Sequence, residues 1–244
     1  MKKLDSLSTV LRLSIFGLLL FVTPANAADA NVGLDIATSY IFRGATLNDS
    51  FVAQPHFDLS GIPAVKGLSF GSWANFDIED DDSGSPEGGH FSEIDLYASY
   101  ALPLNSNDYG ISVGYSEYTY PRSVSDEDRE INSALTIQAV PLSPVLTVNY
   151  GVDGAIEEQV YIDLSLGHRF ELSSDMSMSV GALAAYLVQA KDSAADDGFS
   201  YAEVDASVAF GPIVGKIAYY FETDEDVMEV ETDLLGQIGI SVDF

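Results

Sequence analysis

Residues Leu234 to Phe244 read L-L-G-Q-I-G-I-S-V-D-F. Apolar residues occupy every second position of this stretch, and small or polar residues lie between them. A repeat of two residues is typical of a β-strand whose two faces differ in polarity. About ten residues of such alternation is the length that a tilted strand needs to cross a bilayer. The stretch therefore predicts a membrane-crossing strand.

The same alternation recurs along the chain and predicts twelve strands in all. They are expected near residues 32–42, 51–60, 68–78, 93–102, 109–119, 131–140, 145–153, 159–169, 176–188, 201–210, 213–221 and 234–244. In the first of them, the apolar face comprises Val32, Leu34, Ile36, Tyr40 and Phe42. Beyond one apolar run near the amino terminus, the sequence contains no long apolar segment. Any membrane-spanning part must therefore consist of strands.

The predicted connections alternate between two kinds. Short connections rich in turn residues follow the even-numbered strands, at 61–63, 103–107, 141–144, 173–175 and 211–212. Longer acidic connections follow most odd-numbered strands, at 79–92, 120–130, 189–200 and 222–233. This pattern predicts an all-β fold, an antiparallel transmembrane β-barrel of about twelve strands with short periplasmic turns and long acidic extracellular loops.

Alternation alone does not say which face points inward. A soluble sandwich or a lipocalin-like barrel buries its apolar face and produces the same pattern. Aromatic residues near the predicted strand ends favour the membrane form, because such residues collect at membrane interfaces. They are Tyr40, Phe42, Tyr100, Tyr109, Tyr186, Tyr219, Phe221 and Phe244.

The amino terminus has the features of a secretory signal. Lys2 and Lys3 precede a mostly apolar run at 11–22, and Ala25-Asn26-Ala27 provides a cleavage site. We therefore expect residues 1–27 to be a cleaved signal peptide and residues 28–244 to form the barrel domain. The run is shorter than the roughly 20 residues of a membrane anchor helix. Export directs the barrel to the bacterial outer membrane, by way of the periplasm.

Charge and composition exclude several classes of function. The sequence has a formal net charge of -28 and contains no cysteine. So acidic a chain is not expected to bind nucleic acid. Without cysteine it forms neither disulfides nor thiolate metal sites.

Several short motifs resemble a known family. Tyr40-Ile41-Phe42-Arg43-Gly44 is similar to the Y-x-F-R-G element of the TorF-like porins, a proteobacterial outer-membrane family of unknown function. Further matches follow in order: Gln54 and Phe57, Gly71-Ser72-Trp73-Ala74-Asn75, Glu93-Ile94-Asp95-Leu96-Tyr97 and Tyr118-Thr119-Tyr120-Pro121. The resemblance implies a barrel with a pore, but no substrate and no catalytic residues. The aromatic Phe244 after the last strand also resembles the signal by which outer-membrane barrels engage the barrel-assembly machinery.

The polar faces of the strands predict the lining of the lumen. The candidate pore-lining residues are Asp35, Arg43, His56, Asp58, Asn75, Asp77, Glu93, Asp95, Asp163, Glu203, Asp205 and Lys216. So many carboxylates with so few bases indicate a wet interior, because an unpaired charge is costly to bury. Twelve strands predict a narrow or partly plugged pore, and its acidic lining favours small neutral or cationic solutes. The alternative is a closed barrel that presents acidic loops as a structural or adhesive surface.

Other chemistry is weakly supported. The acidic runs 79–82 and 224–226 offer oxygen ligands for Ca²⁺ or Mg²⁺, but neither has the spacing of a defined calcium loop. His56 shares a face with Asp58, yet no serine stands in a recognisable catalytic motif. We expect no enzyme activity, no metal and no cofactor. The expected partners are outer-membrane lipid, lipopolysaccharide and small solutes.

Overall fold

The computed structural model describes residues 28–79, 88–121, 127–193, 195–222, 227 and 233–244. Within these ranges the chain forms fourteen strands and one short 3-10 helix, Gly154–Ile156. The strands are β1 Asp29–Ala37, β2 Tyr40–Phe42, β3 Ala45–Asn48, β4 Val52–Ser60, β5 Leu68–Asp77, β6 His90–Ala101, β7 Tyr109–Thr119, β8 Asp128–Ile137, β9 Val145–Asp153, β10 Val160–Glu171, β11 Met176–Val188, β12 Gly198–Phe210, β13 Ile213–Glu222 and β14 Leu234–Asp243. No helix in the described ranges is long and apolar enough to span a membrane.

All strands except β2 and β3 close into one antiparallel barrel of twelve strands. Each barrel strand pairs with its neighbours in sequence, β1 pairs with β4, and β14 closes the barrel on β1. The closing register aligns Leu34 with Ile240 and Ile36 with Ile238. The predicted fold class is therefore confirmed, and every predicted strand overlaps a barrel strand.

The two ends of the barrel differ in their connections. At the short-turn end, the strands are joined by tight connections such as 172–175 and 211–212. At the long-loop end lie residues 38–51, the six-residue connection 154–159, and the described parts of the longer connections that follow β5, β7, β11 and β13. The predicted alternation of short and long connections is confirmed, but the acidic runs 80–82 and 224–226 lie outside the described residues.

The outer wall of the barrel is apolar. Along β14, Ile238 and Ile240 are 59% and 49% exposed, whereas the inward-facing Leu235 is 8% exposed. On β1, Val32 and Leu34 are likewise exposed, and Asp35 between Leu34 and Ile36 faces the interior, close to His56. A soluble barrel would bury the apolar face, so this orientation contradicts the soluble alternative and is typical of a barrel that faces lipid.

The end of the first predicted strand was wrong. β1 ends at Ala37 rather than at residue 42, and the chain bends at residues 38–39 and enters the barrel. There β2 and β3 form a separate two-stranded hairpin, hereafter the lumen hairpin. Tyr40 is 4% exposed and Phe42 packs against the buried cluster, so neither contributes to the predicted aromatic belt. Alternation continues through residues 40–42 because the hairpin is also a β-structure with an apolar side.

Candidate functional site: a hairpin inside the barrel lumen

The lumen hairpin turns through only two residues. Phe42 pairs with Ala45, which leaves Arg43 and Gly44 as the connection. Both have positive φ, 52° and 90°, as in the primed turns that favour Asn-Gly in two-residue hairpins. Arginine in this conformation costs about 1 kcal/mol relative to glycine or asparagine. Gly44 also permits close approach, since a Cβ there would lie 2.7 Å from the ring of Tyr201.

Arg43 at the turn binds a buried carboxylate on the barrel wall. Its Nη2 donates to both Oε1 and Oε2 of Glu130 in β8 at 2.9 Å. The hydroxyl of Tyr118 in β7 donates to the same carboxylate at 2.7 Å. The guanidinium carbon lies 4.3 Å from the ring centroid of Tyr161 in β10 and 4.9 Å from that of Phe42, within the range of cation–π attraction. One carboxylate and three aromatic rings therefore surround the cation.

Burial and charge act in opposite directions on Arg43. Removal from water lowers the pKa of its guanidinium, while the negative charge of Glu130 and the hydrogen bonds to it raise that pKa by more. The net effect is a raised pKa, so Arg43 is a permanent cation inside the lumen. Glu130 is 2% exposed, and Arg43 therefore supplies the charge that makes its burial tolerable.

The other side of the hairpin binds β5 and β6. The hydroxyl of Tyr40 donates to Oε2 of Glu93 at 2.7 Å, and its ring lies 5.2 Å from that of Trp73. Burial first, and then the charge of Glu93, raise the pKa of Tyr40 well above its usual value, so its hydroxyl remains a donor. At the end of β3, Nδ2 of Asn48 donates to Oδ1 of Asp77 at 2.8 Å. The hairpin is thus attached to β5 and β6 as well as to β8 and β10.

A buried apolar cluster surrounds these polar contacts. Its members are Ala37, Tyr40, Val52, Tyr161, Ala185, Leu187, Tyr201, Ala218, Tyr220, Val227 and Leu235, with Ile41, Phe42, Trp73 and Leu183 packed against them. The cluster joins the hairpin to inward-facing residues of at least six barrel strands. The hairpin and this cluster therefore occupy much of the long-loop half of the lumen, and the carboxylates that contact the hairpin are buried there rather than wet as predicted.

From the middle of the barrel toward its short-turn end, several inward-facing side chains are polar and only partly buried. Nδ1 of His56 lies 3.4 Å from Oδ2 of Asp35, and the hydroxyl of Tyr97 donates to Asp58 at 2.7 Å. His56 therefore pairs with Asp35 rather than with Asp58, contrary to the pairing considered from the sequence. Near the rim, Arg169 and Glu171 form an ion pair with side chains 62% and 65% exposed.

The twelve candidate pore-lining residues fall into two groups. Arg43, Asn75, Asp77, Glu93 and Asp95 lie around the lumen hairpin, and all but Arg43 are buried. The inner wall away from the hairpin contacts carries Asp35, His56, Asp58, Asp163, Glu203, Asp205 and Lys216. Within the described residues, no group of three or more His, Asp or Glu side chains is arranged to hold a metal ion. A role in lining an open pore remains a prediction for both groups.

The sequence analysis did not identify the residues that bind the Arg43 side chain. Glu130 was assigned to a loop because its neighbours are acidic, but β8 begins three residues earlier than predicted and includes it. Tyr118, Tyr161 and Tyr201 all occupy inward positions near the long-loop end. Tyrosines that share the polar face of several strands at the same end are the signal that would have revealed this aromatic layer.

The barrel resembles solved outer-membrane channels. The KdgM porin superposes with a TM-score of 0.56 at 9% sequence identity, covering 88% of this chain and 99% of that one. The COG4313 outer membrane channel from Pseudomonas putida F1 superposes with a TM-score of 0.51 at 12% identity, covering 91% and 97%. Identities this low show a common fold. No curated protein sequence matches the chain.

The sequence matches a family model over most of its length. The model describes a bacterial protein of unknown function, Gcw_chp, and matches residues 23–229. The TorF-like name suggested by the motifs is not confirmed by this match. The chain therefore belongs to the Gcw_chp family of bacterial proteins of unknown function.

Proposed function

We propose that this chain is a porin-like barrel of the bacterial outer membrane, through which small neutral or cationic solutes diffuse passively. The long loops face the cell exterior, and the lumen hairpin narrows the passage beneath them. The observation that carries this proposal is a closed barrel with an apolar outer wall and an acidic inner wall. A lipid-facing exterior around a polar interior is the arrangement of water-filled outer-membrane barrels.

The charge of the inner wall supports the choice of solute. Outside the hairpin contacts, the inner wall carries Asp35, Asp58, Asp163, Glu203 and Asp205 but, among the candidates, only Lys216 as a lysine or arginine. The lysine is itself paired with Glu203 at 3.2 Å. Clusters of carboxylates at this width attract cations and repel anions. Neutral solutes pass if they are small enough to move around the hairpin.

Planar-bilayer recording tests the proposal. Purified protein reconstituted with a tenfold gradient of potassium chloride is expected to give stepwise currents whose reversal potential has the sign of cation selectivity. A reversal potential of the opposite sign would contradict the acidic lining as the determinant of selectivity. Silence from both the native protein and a variant without the hairpin would contradict the pore itself.

The second candidate is a closed barrel that presents acidic loops as a structural or adhesive surface. The hairpin and its apolar cluster, which fill the long-loop half of the lumen, favour this alternative. The same recordings separate the two functions. A native protein that is silent, together with a hairpin-deleted variant that conducts, would establish the closed form.

The proposed partners follow from the outer surface. Lipid and lipopolysaccharide would contact the apolar outer wall, and the barrel-assembly machinery would recognise Phe244, which is 75% exposed beyond β14. Deleting Phe244 is expected to reduce the amount of heat-modifiable barrel in outer-membrane fractions, while Phe244→Trp preserves it. Equal amounts of assembled protein for the deletion and the native chain would contradict this role.

A further inference from the structure

We propose that Glu130, Tyr118 and Tyr161 form a binding site for solutes that carry a guanidinium group, and that Arg43 occupies this site as a ligand supplied by the chain itself. The inference rests on the proposed function, because it names the class of cationic solute that the lumen would recognise. The hairpin then acts as a plug that such a solute can release.

The site is built from side chains of the barrel wall. Glu130 lies in β8, Tyr118 in β7 and Tyr161 in β10. The hydroxyl of Tyr118 holds the Glu130 carboxylate at 2.7 Å, and the Tyr161 ring lies below the bound cation at 4.3 Å. A buried carboxylate beside an aromatic face is a combination that recognises planar cations.

The hydroxyl of Tyr161 is held in place by its own partner. Its oxygen lies 2.9 Å from that of Tyr201 in β12, and the two hydroxyls share a hydrogen bond. The Tyr201 ring in turn lies 6.0 Å from that of Tyr220 in β13. Contacts within the wall therefore hold the Tyr161 ring, and we expect them to keep it in position when the ligand leaves.

The backbone of the hairpin indicates that Arg43 is present for its side chain. Its φ of 52° is a conformation that asparagine or glycine adopts at less cost. A hairpin needed only to fill space would fold more readily with asparagine at this position. An unfavourable backbone conformation at a single residue often marks a functional contact. Here that contact is the guanidinium of Arg43 bound to Glu130.

The contacts on the two sides of the hairpin suggest how a solute would act. If a free guanidinium occupies Glu130, Arg43 loses its carboxylate and its hold on β8 and β10. The contacts of Tyr40 with Glu93 and of Asn48 with Asp77 remain on the other side. They would serve as the hinge about which the hairpin leaves the centre of the lumen. The hairpin would thus separate from β8 and β10 before it separates from β5 and β6.

Binding of methylguanidinium to the full chain in detergent tests the proposal. Arg43→Asn empties the site while retaining a residue suited to the turn, and the double variant Arg43→Asn with Glu130→Gln removes the carboxylate as well. Trp73 is the only tryptophan of the sequence and lies 5.2 Å from the Tyr40 ring, so its fluorescence reports on the hairpin. Barrel integrity is checked by the change in electrophoretic mobility on heating.

We expect methylguanidinium to change Trp73 fluorescence of Arg43→Asn saturably, with half-saturation on the order of millimolar. The native protein should need at least about tenfold more ligand, because Arg43 competes for the same carboxylate. The double variant should respond no more than it does to N-methylurea, the neutral analogue. Sodium chloride at matched concentration controls for ionic strength.

Two outcomes would overturn the proposal. One is a folded Arg43→Asn variant with no saturable response, and the other is an equal response from the double variant. If Arg43→Asn does not fold, the native protein titrated to high methylguanidinium decides instead, and an absent response there overturns it. Binding in detergent is independent of conduction. A conducting barrel without guanidinium binding therefore contradicts only this inference, and a barrel that binds but is silent both with and without the hairpin contradicts only the pore.

Discussion

The two halves of the lumen use the same inward-facing positions in opposite ways. In the long-loop half, Glu93, Glu130 and Tyr161 are nearly inaccessible because the hairpin covers them. From the middle of the barrel toward the short-turn end, the inward-facing side chains of His56 and Asp35 are 20% and 21% exposed, and those of Arg169 and Glu171 at the rim are more than 60% exposed. An alternating strand fixes which side chains share a face. What occupies the interior decides whether the inward-facing side chains line a water-filled space or belong to a packed core.

The largest expected effect comes from removing the lumen hairpin, which distinguishes the two halves of the lumen. Replacing residues 39–50 by a short glycine-serine link should raise single-channel conductance roughly threefold or more, because the hairpin blocks the open cross-section of a twelve-strand barrel. Bilayer recording measures the change. Shortening the loop that contains Gly154–Ile156, which has no buried residue, is the control and should leave conductance unchanged. Equal conductance with and without the hairpin would show that it does not restrict the passage.

A matched pair of substitutions compares carboxylates from the two halves. Glu130→Gln leaves the nearly buried cation of Arg43 without its counter-charge and should lower the free energy of unfolding by about 3 kcal/mol. Glu171→Gln breaks an exposed pair with Arg169 and should change it by no more than about 0.5 kcal/mol. Urea titration of the barrel in lipid vesicles measures both. Similar losses for the two variants would contradict the assignment of one half as core.

Two tyrosine hydroxyls allow a finer test. Tyr40→Phe removes the hydrogen bond to Glu93 and should cost about 2 kcal/mol, since the lost bond is made to a buried carboxylate. Tyr97→Phe removes the bond to the more accessible Asp58 and should cost about half as much. Only Tyr40→Phe is expected to alter Trp73 fluorescence. An effect of both variants on that signal would mean that the halves are coupled.

The smallest expected effect is electrical rather than structural. Asp58→Asn keeps an oxygen to accept the hydrogen bond from Tyr97 but removes one negative charge from the short-turn half. The reversal potential should move toward zero by about 5 mV, and the unfolding midpoint should remain unchanged. An unchanged reversal potential would show that selectivity is set elsewhere, and the rest of the inner wall would then be examined with Asp163→Asn.

Particular residues show how far sequence reasoning extends. Gly71 to Asn75 and Glu93 to Tyr97 were placed on strands with the correct faces, because alternation is a local property of the chain. Arg43 was placed on the polar side of a wall strand, whereas it lies at a hairpin turn inside the barrel. The neighbouring residues do not indicate that the chain turns into the lumen, because the alternation of β1 continues through residues 40–42.

Glu130 illustrates the other limit. An acidic residue near a long acidic connection is expected in solvent, and only the arrival of Arg43 from 87 positions away makes its burial possible. The same applies to Tyr161 and Tyr201, whose hydroxyls meet across the gap between β10 and β12. Contacts between residues far apart in sequence leave no pattern in the local sequence from which they could be predicted.

The sequence by itself determined the class of fold, the number of barrel strands and the alternation of short and long connections. Each of these follows from a repeat of two residues and from the turn residues that interrupt it. Only the tertiary structure decided that residues 38–51 turn into the lumen, that Arg43 reaches Glu130, and that half of the interior is packed rather than wet. The physical reason is that the alternation of polar and apolar residues specifies which side chains share a face, whereas what that face meets depends on how the barrel closes around its interior.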